Sequence, residues 1–263
     1  MLSTKNYKYK TWGELLSSKE VDLSILKIHN SWKKIVEDEM DEQYFEKLEH
    51  FLSKCLKVTK GNVKIYPYPD LVFNAFITTP FNKIKVVILG QDPYHNNEEH
   101  NDKIIPQAMG LSFSVPVGIK IPSSLKNIYK NQLKFKQINY IPDHGNLTSW
   151  AKQGCIMLNT SLTVQHGHPN SHSKHWKPFT DTIIKTISNN KENIVFLLWG
   201  SPALSKLNLI DTKKHKVIIS SHPSGLSCHK PLRIYKSFMD EDHFGKTNKF
   251  LIKNKKKPIN WSI

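Results

Sequence analysis

Four apolar runs in this chain show no polar alternation, and each stops at a short polar cluster. Two are Lys85-Val86-Val87-Ile88-Leu89-Gly90 before Gln91-Asp92-Pro93-Tyr94-His95, and Ile156-Met157-Leu158 before Asn159-Thr160. The others are Ile194-Val195-Phe196-Leu197-Leu198-Trp199 before Gly200-Ser201-Pro202, and Val217-Ile218-Ile219 before Ser220-Ser221-His222-Pro223-Ser224. A strand with one face in water alternates, whereas a strand covered on both faces does not. The runs therefore predict an α/β fold: three α/β/α layers with a central, mainly parallel four-stranded sheet flanked by helices. Open parallel sheets bind ligands just beyond the carboxyl ends of their strands. Asp92, Asn159, Ser201 and His222 are thus expected to converge, although they lie far apart along the chain.

Helical patterns fall between these runs, as βαβ units require. Over residues 31–57, Trp32, Ile35, Val36, Met40, Tyr44, Phe45, Leu48, Phe51, Leu52 and Cys55 recur among charges at helical spacings, which predicts a helix or helix pair. Shorter helices are expected at 70–76, 123–136, 149–153 and 179–189, and Tyr66-Pro67-Tyr68-Pro69 reads as a rigid turn. No internal repeat or long linker divides the 263 residues, so one domain over 1–263 is expected. It would carry a short polar N-terminal tail and a basic C-terminal segment, 253–258, left in solvent.

Charge narrows the partners. Lys and Arg number 38 against 22 Asp and Glu, a formal net charge of +16. Such an excess favours a polyanion, and nucleic acid before membrane, because no basic amphipathic helix stands out. A compositional bias is the competing reading, since Lys, Asn and Ile are all plentiful. No apolar stretch approaches the roughly 20 residues that span a bilayer, so no membrane partner is expected. Cys55, Cys155 and Cys228 show no close pairing, and the start lacks a signal-peptide core. Both point to a reducing, cytoplasmic setting.

Taken singly, the clusters are ambiguous. Asp92 fits a turn or cap as well as a catalytic carboxylate. Asn159 offers a donor and an acceptor in one plane, suited to reading a base or an amide. Phe113, within Gly110-Leu111-Ser112-Phe113-Ser114, suits a stacking platform or a core. His166, His168, His172 and His175 lack a cysteine or carboxylate at ligand spacing, so no metal is expected. No glycine-rich phosphate loop appears, and no cofactor is expected.

Together, the motifs resemble the uracil-DNA glycosylase family, in its most uracil-specific branch. The resemblance rests on GQDPYH at 90–95, GLSFSV at 110–115, IPSSLKNIYK at 121–130, LLWGS at 197–201 and HPSGLS at 222–227. It runs in collinear order from about Trp12 to Trp261, and five motifs in order are far more specific than one. It implies that uracil is flipped from DNA and its bond to deoxyribose hydrolysed, leaving an abasic site.

By that resemblance Asp92 faces the sugar, His95 helps place the attacking water, and His222 donates to uracil O2. Asn159 reads uracil N3–H and O4, Tyr94 blocks a C5 methyl, Phe113 stacks on the base, and the Gln91 backbone meets its edge. Ser124, Ser201 and Ser224 grip phosphates, and Leu226 wedges into the stack. The implied partner is uracil-containing DNA, single- or double-stranded, met by a monomer. A DNA-mimicking protein inhibitor is a further possible partner by the same resemblance.

The chain departs from the family pattern at Gly225 and Ser123, where proline is usual, at Lys177 for glutamate and at Met109 for histidine. Residues 96–107 and 228–237 are longer than usual, and the second stretch brings Lys230, Arg233 and Lys236. Two rivals remain. A broader-specificity mismatch uracil/thymine glycosylase generally lacks this aspartate or a tyrosine guard. A DNA-binding relative without catalysis has no need of the set Asp92, Asn159 and His222.

Overall fold

The computed structural model describes residues 1–16, 20–58 and 64–263. Its strands are β1 (Ile65–Tyr66), β2 (Val86–Gly90), β3 (Asn97–His100), β4 (Lys103–Pro106), β5 (Cys155–Asn159), β6 (Val164–Gln165), β7 (Val195–Trp199) and β8 (Lys216–Ser220). The helices run α1 (Trp12–Leu16), α2 (Lys33–Met40), α3 (Gln43–Val58), α4 (Asn74–Thr78), α5 (Ser123–Lys134), α6 (Thr148–Lys152), α7 (Ser173–Asn190), α8 (Ser201–Leu204) and α9 (His243–Lys253).

The four apolar runs form one parallel sheet in the order β5-β2-β7-β8. Every residue of β2, β5 and β7 is buried, which requires helical cover on both faces. On the edge strand β8, Lys216 reaches solvent while Ile218 and Ser220 stay buried, the pattern of a less covered strand. Gly90 pairs with Asn159, and Trp199 with Ser220, so all four strands end together. The α3 and α7 helices pack through Phe45, whose ring lies 5.7 Å from Phe179 and 6.4 Å from Trp176. Trp199 sits against Phe244 of α9 at 6.1 Å.

Four expectations change. Residues 96–107 do not form a plain loop: β3 and β4 make an antiparallel hairpin turned at Asn101 and Asp102, both with positive φ. That conformation is the two-residue turn that Asn and Asp tolerate best. Helix α7 begins at Ser173 instead of 179 and carries Pro178 inside it. Its first turns are pinned from outside, since Trp176 Nε1 donates to Thr163 Oγ1 at 2.6 Å and Thr180 Oγ1 to Thr160 O at 2.8 Å. These contacts offset the backbone hydrogen bond that proline removes.

The basic C-terminal segment is docked. Lys256 Nζ donates to the carbonyls of Glu192 at 2.6 Å and Asn193 at 3.0 Å. Asn248 grips both the N–H and the carbonyl of Ile259, and Trp261 is buried against Trp150 and Phe244. Apolar burial at 259 and 261 holds down a stretch whose charges alone would favour solvent. The N-terminus is docked too, as Thr4 N–H donates to Val117 O and Val117 N–H to Leu2 O.

Candidate active site

The common end of the strands carries the chemistry. A cavity of about 200 Å³ opens there, and its walls include Gln91, Asp92, Tyr94 and His95 from the loop after β2. Asn159 at the end of β5 and His222 after β8 line the same cavity, with Phe113 and Ser124 closing it. Backbone bonds hold the loops in register. Thr160 N–H donates to Gly90 O, and Gln91 O accepts from both Ser161 N–H and Thr160 Oγ1, each at 3.0 Å.

Gly90 decides how closely these parts fit. A Cβ at that position would lie 2.2 Å from Asn159 Oδ1 and 2.8 Å from Ser112 Cβ. Only glycine leaves room for the Asn159 amide beside the neighbouring strand end. Asn159 is 6% exposed, yet among the described residues its amide has no hydrogen-bond partner. Its amide therefore faces the cavity with both its donor and its acceptor open to a ligand.

His222 is fixed in one tautomer. Ser224 N–H donates to its Nδ1 at 3.1 Å, so Nδ1 is the acceptor and Nε2 carries the proton. Burial lowers its pKa to about 4, and the ring is neutral near pH 7. Its orientation is held by Asn127 of α5, which donates to Pro223 O at 2.8 Å.

The Asp92 carboxylate has one engaged oxygen and one idle one. Its Oδ2 accepts from Asn170 N–H at 2.8 Å, while Oδ1 is buried without a partner among the described residues. Burial pushes the carboxyl above its ordinary range, and the Asn170 N–H and His95 act in the opposite direction. His95 Nδ1 is likewise buried and unpartnered, while its carbonyl accepts from His166 Nδ1 at 2.9 Å.

Phe113 adopts φ +62, an unusual conformation for a bulky residue. It costs on the order of 1–3 kcal/mol and marks functional positions more often than neutral ones. Its ring sits 5.9 Å from His222 and 5.3 Å from Trp199, and its carbonyl lies 3.4 Å from the Tyr94 hydroxyl that donates to it.

Ser201, Ser224 and Leu226 stand outside the cavity wall. Ser201 opens α8 after Gly200, whose φ is +90, and a Cβ on Gly200 would approach His222 Cβ to 3.0 Å. Ser224 Oγ bonds Ser227 Oγ at 2.8 Å. Leu226 is 86% exposed and therefore no core leucine. Met109 is buried, bonded through Sδ to Ser114 Oγ, and takes no part in the cavity.

Asn170 and Pro169 escaped the sequence reading. Asn170 supplies the N–H to Asp92, hydrogen-bonds the Gln91 side chain through Oδ1, and has φ +64; Pro169 lines the cavity. The run His168-Pro169-Asn170-Ser171 is a turn signature that could have drawn attention to them. The nearby histidines have structural partners: His172 meets Thr163 Oγ1 at 2.9 Å, and His175 stacks on Phe51 at 3.8 Å.

A family model described as the uracil DNA glycosylase superfamily matches residues 76–252. The chain belongs to this superfamily. It is 46% identical over 244 residues to the uracil-DNA glycosylase of Campylobacter fetus subsp. fetus (strain 82-40), covering 92% of this chain and 97% of that one. It is 45% identical over 239 residues to the enzyme of the same name from Pseudomonas fluorescens (strain SBW25), covering 90% and 96%. Among solved structures, mimivirus uracil-DNA glycosylase superposes with a TM-score of 0.94 at 37% identity, over 100% of this chain and 97% of that one. A variant of the mimivirus protein in complex with UGI matches with a TM-score of 0.93 at 38% identity, over 100% and 98%. The superfamily model spans all four strands of the sheet and the cavity at their ends.

Proposed function

We propose that this protein excises uracil from DNA, hydrolysing the N-glycosidic bond to leave free uracil and an abasic site. One observation carries the residue assignment. An unpartnered amide, a neutral imidazole of fixed tautomer and a half-engaged carboxylate share one small cavity.

Uracil presents O2, N3–H and O4 along one edge. The Asn159 amide accepts from N3–H and donates to O4, and His222 Nε2–H donates to O2. Cytosine reverses donor and acceptor at two of these positions, leaving buried groups unmatched, a larger penalty than the absence of a methyl group. Phe113 stacks on the ring, and Tyr94 stands where a thymine methyl would project.

As the bond from C1′ to N1 breaks, its electron pair moves onto uracil and positive charge gathers on the sugar. Asp92 stabilises that charge: opposite unit charges 4 Å apart interact by about 4 kcal/mol at an effective dielectric of 20. Water, oriented by Asp92 and His95, adds its oxygen to C1′ and passes a proton to the free Oδ1 of the Asp92 carboxylate, while uracil departs with the electron pair of the broken bond. His222 steadies the negative charge on O2 by a hydrogen bond and keeps its own proton.

Ser124, Ser201 and Ser224 hold the phosphates around the extruded nucleotide, and Leu226 fills the gap in the stack. Lys230, Arg233 and Lys236 add phosphate contacts beside that wedge. The protein acts as a monomer and accepts a DNA-mimicking inhibitor on the same face. The solved UGI complex of a similar protein supports the inhibitor part of this reading.

The test is strand scission by alkali after incubation with oligonucleotides carrying uracil, thymine or cytosine, EDTA being present throughout. Release confined to uracil is expected. Binding without release would favour a non-catalytic DNA-binding relative, and release of thymine from mismatches a broader glycosylase.

A further inference from the structure

A cleft of about 540 Å³ lies at the opposite end of the sheet from the cavity. Its walls include Lys83, Lys85, Lys191, Lys256 and Lys257, with Glu192 as the only carboxylate among those lining it. Lys85 immediately precedes β2, and Lys191 and Glu192 precede β7. The strands therefore lead from this cleft to the candidate active site. Five residues at about 3.3 Å each put some 16 Å between the two ends.

Three of these lysines are held in place, while Lys83 and Lys257 are exposed at the cleft's rim. Lys85, Lys191 and Lys256 are half-buried, and burial holds each ammonium below its ordinary pKa. Lys191 and Lys85 depress Lys256 further and Lys257 does the same to Lys85, while Glu192 acts the other way on Lys256 and Cys155 on Lys85. Their hydrogen bonds go to neutral groups. Lys85 Nζ donates to Lys257 O at 2.8 Å, and Lys256 Nζ to the carbonyls of Glu192 and Asn193. Lys191 Nζ sits 4.7 Å from the centre of the Phe81 ring. Among the described residues none of the five makes an ion pair with a carboxylate.

Half-buried cations that repel one another are normally compensated by anions. Here the carbonyls and the ring fix the ammonium positions without neutralising them. A ligand with several closely spaced negative charges completes the arrangement, and lysine is a common point-charge binder of phosphate. We propose that this cleft binds a chain of phosphates. The duplex engaged at the far end of the sheet is not its source. The occupant is a free oligophosphate or the backbone of a second DNA segment, two sources of one chemistry.

The site does not depend on the proposed excision, and its test is separate. Tripolyphosphate is titrated calorimetrically into the wild-type protein and two variants at equal ionic strength. The cleft variant is Lys83→Ala/Lys191→Ala/Lys257→Ala, whose ammonium groups bond no backbone carbonyl. The control, Lys33→Ala/Lys34→Ala/Lys47→Ala on α2 and α3, removes the same charge elsewhere. Roughly tenfold weaker binding by the cleft variant alone is expected, since every ammonium taken from the cleft deprives the phosphates of one partner. Equal binding by all three proteins, or equal weakening in both variants, overturns the proposal.

A second arm separates the sources. Dissociation from a fluorescent duplex is timed while unlabelled duplex is added. Acceleration in wild type but not in the cleft variant assigns the cleft to a second DNA segment. Tripolyphosphate binding without such acceleration assigns it to free oligophosphates. Uracil release from a short oligonucleotide is expected to be the same in wild type and the cleft variant.

Discussion

Asn159 and Leu226 both serve the same extruded nucleotide in the proposed reaction, yet they are built on opposite terms. Asn159 is 6% exposed at the end of a fully buried strand, and a missing Cβ on the adjacent strand makes its room. Leu226 is 86% exposed, on a loop where a Cβ on neighbouring Gly225 would meet nothing within 4 Å. The interior position tolerates no added atom, whereas the outer one has space on all sides. Chemistry and base choice should therefore be brittle to substitution, and DNA handling should be graded.

Four measurements would break or sharpen that contrast. Asp92→Asn keeps the shape and removes the charge. It should lower single-turnover excision by about 10³, the factor that roughly 4 kcal/mol represents, with DNA affinity nearly intact. Equal losses in both would place Asp92 in binding instead. Next, Gly90→Ala should lower kcat/KM on uracil by roughly 10², because the new methyl displaces the Asn159 amide from its matched position. Activity close to wild type would show that the amide does not need its present place.

Leu226→Ala should cost about tenfold on duplex substrate and little on single strands, where no stack has to be filled. A comparable loss on both would make Leu226 a general contact and not a wedge. The smallest effect belongs to Lys230→Ala/Arg233→Ala/Lys236→Ala. Its log–log salt slope for duplex binding should become shallower by up to about 2.7, at about 0.9 per contact. An unchanged slope would leave these residues as a solvated insertion.

The parts most legible in the sequence were those set by burial. The four strands lie within a residue or two of their apolar runs, because strands covered on both faces are apolar nearly throughout and take polar residues at their ends. The helix pair at α2 and α3 followed its periodicity for the same reason. Asp92, Asn159 and His222 line one cavity, since parallel strands deliver their ends to one side of a sheet, but Ser201, expected with them, lies outside its wall.

What escaped depends on contacts between distant loops. Asn170 acts through its main-chain N–H, which has no sequence signature of its own. The start of α7 was obscured by Pro178, and only the side-chain bonds from Trp176 and Thr180 reveal why helix persists there. Helix α9 went unread, although Asp242 Oδ1 accepts from Gly245 N–H and caps its first turn. Lys256 read as part of a solvated tail because nothing near it in sequence foretells Glu192 and Asn193, which receive its ammonium, whereas Lys257 is exposed.

The bond from the Ser224 main chain to the imidazole of His222 has one more effect. It leaves the ring a single free nitrogen, already protonated, so no hydrogen ion can enter at one side and leave at the other. A residue wired in this way returns unchanged after every round and needs no recharging step. Turnover should then be insensitive to buffer concentration at constant pH.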